Sequence, residues 1–180
     1  PVTGILPPLN EIQWETEFNK YKDYPEYQNS PIGIDDFKKI FWWEYIHRII
    51  GRIIGLLVLI PYLYFLITNK LSNSEKIKYF IILLLIGMQG LLGWIMVKTG
   101  LSNQTYNTLG VSPFYLAMHL SLALITYCYV FWQYLELKKQ YFRNNRYKGF
   151  NYGIPIFILL FFQILLGGIL SGLHGGFVSH

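Results

Sequence analysis

Hydrophobic and polar positions divide this chain into a polar, aromatic N-terminal stretch and four apolar segments. Residues 1 to 39 mix charged and aromatic side chains, and Pro7-Pro8, Pro25 and Pro31 interrupt any long helical pattern. Short helices are expected around Trp14 to Tyr21 and Asp35 to Lys39. The apolar segments run roughly from 40 to 67, 78 to 97, 114 to 135 and 152 to 172. Each approaches or exceeds the ~20 residues a helix needs to cross a ~30 Å hydrocarbon core, and the first is long enough to project past the interface. The pattern predicts an all-α, polytopic transmembrane helical bundle with four spans. Its parts are an outer polar segment (1–39), three spans (40–135), an inner basic loop (136–151) and a last span with its tail (152–180).

Composition agrees with a membrane setting. Of 180 residues, 53% are hydrophobic and only 14% charged, too apolar for an ordinary soluble domain. The net charge of +5 does not signal nucleic acid, because many of the cations cluster between apolar segments. Lys70, Lys76 and Lys78 follow the first span; Lys138, Lys139, Arg143, Arg146 and Lys148 follow the third. The positive-inside rule puts both clusters in the cytoplasm or mitochondrial matrix. Residues 1 to 39, the loop from Lys98 to Pro113 and the tail from Gly175 to His180 then lie on the outer side. The single cysteine, Cys128, permits no internal disulfide and is expected to pack. The chain opens on Pro1-Val2-Thr3-Gly4 without an initiator methionine or signal-like segment and is expected to be a fragment.

The first span carries an anomaly. Its start, Phe41-Trp42-Trp43-Glu44-Tyr45-Ile46-His47-Arg48-Ile49-Ile50-Gly51-Arg52-Ile53-Ile54-Gly55, places a carboxylate, an imidazole and two guanidinium groups in an apolar helix. At about 100° per residue, Glu44, His47, Arg48, Gly51, Arg52 and Gly55 share an arc of roughly 140°. Ionisable groups inside a membrane are costly and usually functional. His119, in Leu116-Ala117-Met118-His119-Leu120, lies near the outer end of the third span, at the depth of His47. Two histidines from different helices, without a cysteine or carboxylate cluster, suit a b-type heme better than zinc, which takes three or four ligands. Gly51 and Gly55 leave a slot beneath His47 for a flat macrocycle. A hydrogen-bonded helix contact explains one such histidine equally well; the matched depth and the slot favour ligation for the pair.

The remaining polar groups admit two readings each. Glu44 pairs with Arg48 four residues on, or serves as a carboxylate at a heme edge for proton transfer or for stabilising positive charge on a substrate carbon. Arg52, without a local partner, meets a heme propionate or snorkels. Gln89, Tyr115 and Lys98 read as interface anchors or helix contacts, with support of a site as the alternative. An internal echo links Gln89-Gly90-Leu91-Leu92-Gly93-Trp94-Ile95 with Gln163-Ile164-Leu165-Leu166-Gly167-Gly168-Ile169, as duplicated bundles would. The plainer reading is that Gly87, Gly90 and Gly93 let helices approach. His174 and His180, in a glycine-rich outer segment, are not expected to be ligands.

These residues also carry a resemblance. Tyr24-Pro25-Glu26-Tyr27 with Phe37-Lys38-Lys39-Ile40-Phe41-Trp42-Trp43-Glu44-Tyr45-Ile46-His47-Arg48 strongly resembles the heme A synthase family, and the opening Pro1 to Leu9, Gln89 to Leu101, Leu116 to Leu120 and Gly167 to Ser179 follow in the same order. The resemblance implies an eight-helix protein of two four-helix bundles, of which this fragment lacks the first helix and the last three. It implies oxidation of the methyl group of heme O to the formyl group of heme A, for cytochrome oxidase assembly. His47 and His119 would flank the substrate iron, Glu44 would be the catalytic glutamate, and Arg48 and Arg52 would bind propionates. A heme b cofactor would sit in the second bundle. The implied partners are heme O, the bilayer, an unidentified electron donor, heme O synthase and a second copy of the chain, and no nucleic acid. The membrane would be the bacterial cytoplasmic or mitochondrial inner membrane, with the histidine pair outward. The paucity of cysteines resembles the mitochondrial and proteobacterial branch. Two departures stand out: Tyr115 where the family commonly has arginine, and His180 where it has asparagine. A bis-histidine, cytochrome b-like electron carrier is the competing reading, and a membrane scaffold is a third.

Overall fold

Apolar runs with few internal breakers form helices because only a helix satisfies its own backbone groups in hydrocarbon. The computed structural model describes residues 6–24, 27–28, 30–101, 112–141 and 153–173. Five helices lie within them: α1 (Glu11–Lys22), α2 (Ile34–Ile67), α3 (Asn73–Leu101), α4 (Pro113–Tyr141) and α5 (Gly153–Gly172). No strand occurs among the described residues. Three helices, α2 to α4, are long and apolar enough to cross a membrane. The fourth expected span corresponds to α5, a 20-residue helix that is apolar throughout apart from Gln163 and Ser171.

The helices overrun the expected spans, for identifiable reasons. The expected short helix at Asp35 to Lys39 is not separate; it is the opening of α2, where Asp35 and Asp36 stand in the first turn and favour a helix N-terminus. With 34 residues α2 extends about 50 Å, well beyond the hydrocarbon thickness. Its C-terminus closes on Asn69 in the left-handed conformation, φ 50°. Lys70 N–H donates to the Phe65 carbonyl at 3.0 Å and Asn69 N–H to Leu66 at 3.2 Å, the hydrogen-bond pair of a Schellman stop. The basic stretch that follows is therefore shorter than it reads. Ser72 and Glu75 cap α3 reciprocally, the Ser72 N–H donating to Glu75 Oε2 at 2.8 Å and the Glu75 N–H to Ser72 Oγ at 3.3 Å. Lys76 and Lys78 thus belong to α3. Likewise Lys138 and Lys139 lie on the last turns of α4, while Arg143, Arg146 and Lys148 fall outside the described residues.

Consecutive helices pack on one another, most extensively α4 with α5 and then α3 with α4. The α4–α5 seam uses small residues, as membrane helices do. A Cβ on Gly168 would lie 3.1 Å from the Ala117 Cα and 3.2 Å from Leu120 Cδ1. At the other end of α3 and α4, Lys78 Nζ donates to Glu136 Oε2 at 2.5 Å, and the Trp132 indole N–H donates to the second carboxylate oxygen at 3.2 Å. The apolar faces of α2 to α5 point outward, so little of the spans is buried. The principal aromatic core lies at the start of α2: Trp14 of α1 packs edge-on against Phe37 and Phe41 of α2, at ring separations of 6.4 and 4.9 Å. Lys38 to Glu11, at 3.0 Å, ties the same two helices. Cys128 is half-buried, in keeping with packing.

Candidate functional site

The polar arc of α2 and the histidine of α4 meet. Neither helix needs to pack directly on the other, because each packs on α3 and their side chains reach across it. The imidazoles of His47 and His119 stand 6.4 Å apart between ring centres, at an interplanar angle of 69°. His47 is exposed and His119 half-buried. Among the described residues no three His, Cys, Asp or Glu side chains gather as a metal cluster would require.

The helix spacing sets the rest of the α2 face. Glu44 precedes His47 by three residues and Arg48 by four, so all three project to one side. Arg48 Nη1 donates to Glu44 Oε1, forming the local ion pair that the spacing allows. Both are only partly exposed, 24% for Arg48 and 35% for Glu44, so the pair is neither fully hydrated nor sealed. Arg52, one turn further, is exposed and meets no side-chain partner among the described residues. A Cβ on Gly51 or Gly55 would meet nothing within 4 Å among the described residues. The flank of α2 below His47 is therefore open, as the expected slot requires.

The α3 glycines behave differently from the plain reading. Among the described residues Gly87 and Gly90 have no neighbour within 4 Å of a Cβ position, so no helix described here approaches closely at either. Gly93 faces the site: a Cβ there would lie 3.0 Å from His119 Cε1 and 3.5 Å from Nδ1. Gln89, one turn earlier on the same face, donates from Nε2 to the His119 carbonyl at 3.0 Å. The same nitrogen lies 3.3 and 3.2 Å from His119 Nδ1 and Nε2. An atom nearly equidistant from both ring nitrogens would collide with Cε1–H if it lay in the ring plane, so the amide sits off that plane. Its Oε1 is buried and has no hydrogen-bond partner among the described residues. Gln89 is thus a neighbour of the imidazole, and the signal that points to it is the i, i+4 spacing of Gln89 and Gly93 together with the depth of His119.

Other groups named from the sequence lie elsewhere. Lys98 Nζ stands 4.8 Å over the ring of Trp94, one turn earlier on α3, a cation–π contact within the helix. Tyr115 is half-buried on α4 without a hydrogen-bond partner among the described residues. His174 and His180 fall outside the described residues. A separate apolar groove of about 460 Å³ opens between α3, α4 and α5, lined by residues such as Met88, Leu92, Phe114 and Ile169, with Ser121 the one polar side chain on its wall. None of the histidine-site residues lines it.

The chain is 42% identical to the heme A synthase of Pelagibacter ubique over 184 residues, covering 98% of this chain and 52% of that protein. It is 44% identical to the heme A synthase of Flavobacterium psychrophilum, covering 99% and 53%, and 40% identical to that of Rickettsia rickettsii, again covering 99% and 53%. The chain spans about half the length of the curated relatives it matches. No solved structure matches it. The profile of the cytochrome oxidase assembly proteins (COX15-CtaA) matches residues 1–180. An all-helical chain with membrane-length helices, matched from end to end by that profile, belongs to the cytochrome oxidase assembly family, and it is an integral membrane protein.

Proposed function

We propose that this chain is the substrate-binding half of a heme A synthase, which oxidises the methyl group of heme O to the formyl group of heme A. The observation that supports it is the approach of His47 to His119. Metal–imidazole bonds of about 2 Å, with each ring nitrogen about 1.2 Å from its ring centre, separate two axial imidazoles by roughly 6–6.5 Å between centres. The two rings lie 6.4 Å apart, and their 69° twist is compatible with axial ligation, because axial rings rotate freely about a shared axis. The open flank at Gly51 and Gly55 accommodates a flat ring.

In this reading His47 and His119 hold the iron of heme O from its two faces. Arg52, which has no side-chain partner among the described residues, neutralises a propionate. Arg48 positions Glu44 and keeps further N–H donors for a second propionate, since a guanidinium carries five. Glu44 sits at the porphyrin edge, where its carboxylate takes up a proton or stabilises positive charge developing on the methyl carbon. A heme b cofactor, the electron donor, heme O synthase and a second copy of the chain belong to the complete protein. The histidine pair faces the outer side of the bacterial cytoplasmic or mitochondrial inner membrane, opposite the lysine-rich ends. The electron-carrier reading is not favoured, because the relatives above are named heme A synthase.

The test is made in the complete protein. Replacement of His47 by Ala or of Glu44 by Gln is expected to abolish heme A while heme O accumulates in extracted membranes. Normal heme A in both variants sinks the proposal.

A further inference from the structure

We infer that Gln89 is the positioning residue of His119: its amide, tied to the main-chain carbonyl of that histidine and lying over the ring face, sets the plane of the imidazole at the iron. The inference rests on the reading of His119 as a heme ligand and deepens it.

The amide holds two parts of one residue at once. Nε2 donates to the His119 carbonyl oxygen at 3.0 Å. The same nitrogen lies 3.2 and 3.3 Å from the two ring nitrogens, which places it over the face of the ring and not at its rim. A carbonyl inside a helix accepts from the N–H four residues on and keeps a second lone pair. The Gln89 N–H takes that lone pair, so the bond leaves the α4 ladder intact and ties the backbone of His119 to α3. An amide tethered in this way is a stop, because the ring cannot turn toward it about Cβ–Cγ without driving a ring atom into Nε2. Gly93, one turn along α3, bounds the Cε1 edge, where a Cβ would lie only 3.0 Å away. Gln89 and Gly93 together form a cradle on one face of α3, in which the ring rests.

A seated ring matters because neither of its own bonds chooses a plane. The torsion that turns an imidazole about Cβ–Cγ is broad, and an iron–nitrogen bond lets the ring turn about itself. The protein must therefore choose, as the surroundings of metal-bound imidazoles commonly do by orienting the ring. His47 is exposed and His119 is cradled, so the seated plane is that of His119, which crosses the plane of His47 at 69°. The direction of its ligating nitrogen fixes where the iron rests. With the iron it fixes which edge of the porphyrin comes to Glu44.

The test uses the complete protein in detergent, with ferric hemin as the probe. The Soret and low-spin electron paramagnetic resonance signals lost in H119A define this site. Crossed axial planes give ferric iron one dominant large-g feature, whereas parallel planes give a rhombic spectrum with separate features, so the spectrum reads the angle. The wild type is expected to show the large-g form. Gln89→Ala removes tether and stop together; it is expected to move the signal toward the rhombic form or to spread it over many angles, while hemin binding at this site weakens by about 3–20-fold, the worth of one hydrogen bond between membrane helices. Gln89→Asn keeps an amide one methylene too short to reach and is expected to behave as Q89A. Gly90→Ala, with open space at its Cβ among the described residues, is expected to keep the wild-type spectrum. A rhombic wild type overturns the inference, as does the wild-type spectrum in Q89A or Q89N, or an equal change in G90A. If H119A loses no signal, the heme-ligand reading has failed and this inference with it; if H119A loses it and Q89A keeps the wild-type spectrum, only the role of Gln89 has.

Discussion

The sharpest single perturbation is a methyl group at position 93. In Gly93→Ala the new Cβ would lie 3.0 Å from His119 Cε1, against a favourable carbon–carbon separation of about 3.5–4.0 Å. Ring or helix must therefore give by about 0.5–1 Å. Overpacking of this kind costs about 1–3 kcal/mol, and the helix regains about 0.5–1 kcal/mol because Ala is the better helix former. The net loss of stability is then about 0–2.5 kcal/mol. Ligation is far less tolerant, since metal–ligand distances hold to about 0.2 Å. G93A should fold and yet lose most of the His119-dependent hemin signal. Gly90→Ala, with nothing within 4 Å of its Cβ, is the matched control on the same helix. The assay is hemin titration of the complete protein by Soret absorption, with thermal unfolding in detergent run in parallel. Wild-type binding in G93A refutes the reasoning, and so does an equal loss in G90A, which would show that α3 responds to any added methyl.

Other consequences are as concrete. Trp14→Ala removes the centre of the α1–α2 aromatic cluster and is expected to cost about 3 kcal/mol, seen as faster proteolysis of α1 in folded protein. Gly168→Ala presses a Cβ against Ala117 and Leu120 and should destabilise the α4–α5 seam by about 1–3 kcal/mol, whereas Gly167→Ala, which has no neighbour, should be near neutral in the same thermal assay. Glu136→Gln weakens a half-exposed link to Lys78 and is expected to lower the unfolding midpoint only slightly, with the difference from wild type shrinking as salt is raised.

Much of the architecture was legible because membranes impose it. Apolar length alone locates the spans, since hydrocarbon leaves backbone groups no partner outside the helix. The ends were less legible. Lys76 and Lys78 look like loop residues by charge, yet the Ser72–Glu75 cap draws them into α3, and Asp35 and Asp36 look like a separate helix although nothing breaks the backbone between them and Phe41. At the site, a helical wheel groups Glu44, His47, Arg48 and Arg52 because four residues on one helix share a phase. It also leaves open which partner Arg48 takes, and the fold pairs Arg48 with Glu44. The cradle of Gln89 and Gly93 was harder to see. Its meaning depends on which helix α3 faces, and periodicity within one helix carries no information about its neighbour's azimuth. A glycine that admits an imidazole and a glycine that faces lipid look alike in a string of letters.

The aromatic clamp of Trp14 on Phe37 and Phe41 has a further consequence. Helix α2 is one continuous rod from Ile34 to Ile67, and its span is bordered by few buried contacts that would resist spinning about its long axis. The clamp grips that rod at a point one turn before Glu44. At a side-chain radius of about 5 Å, a ten-degree spin carries an imidazole about 1 Å sideways. The rotational phase of His47 is therefore held, together with the packing of α2 on α3, by three rings gathered where the apolar stretch of α2 begins, and α1 works as a key that holds the shaft at its working angle.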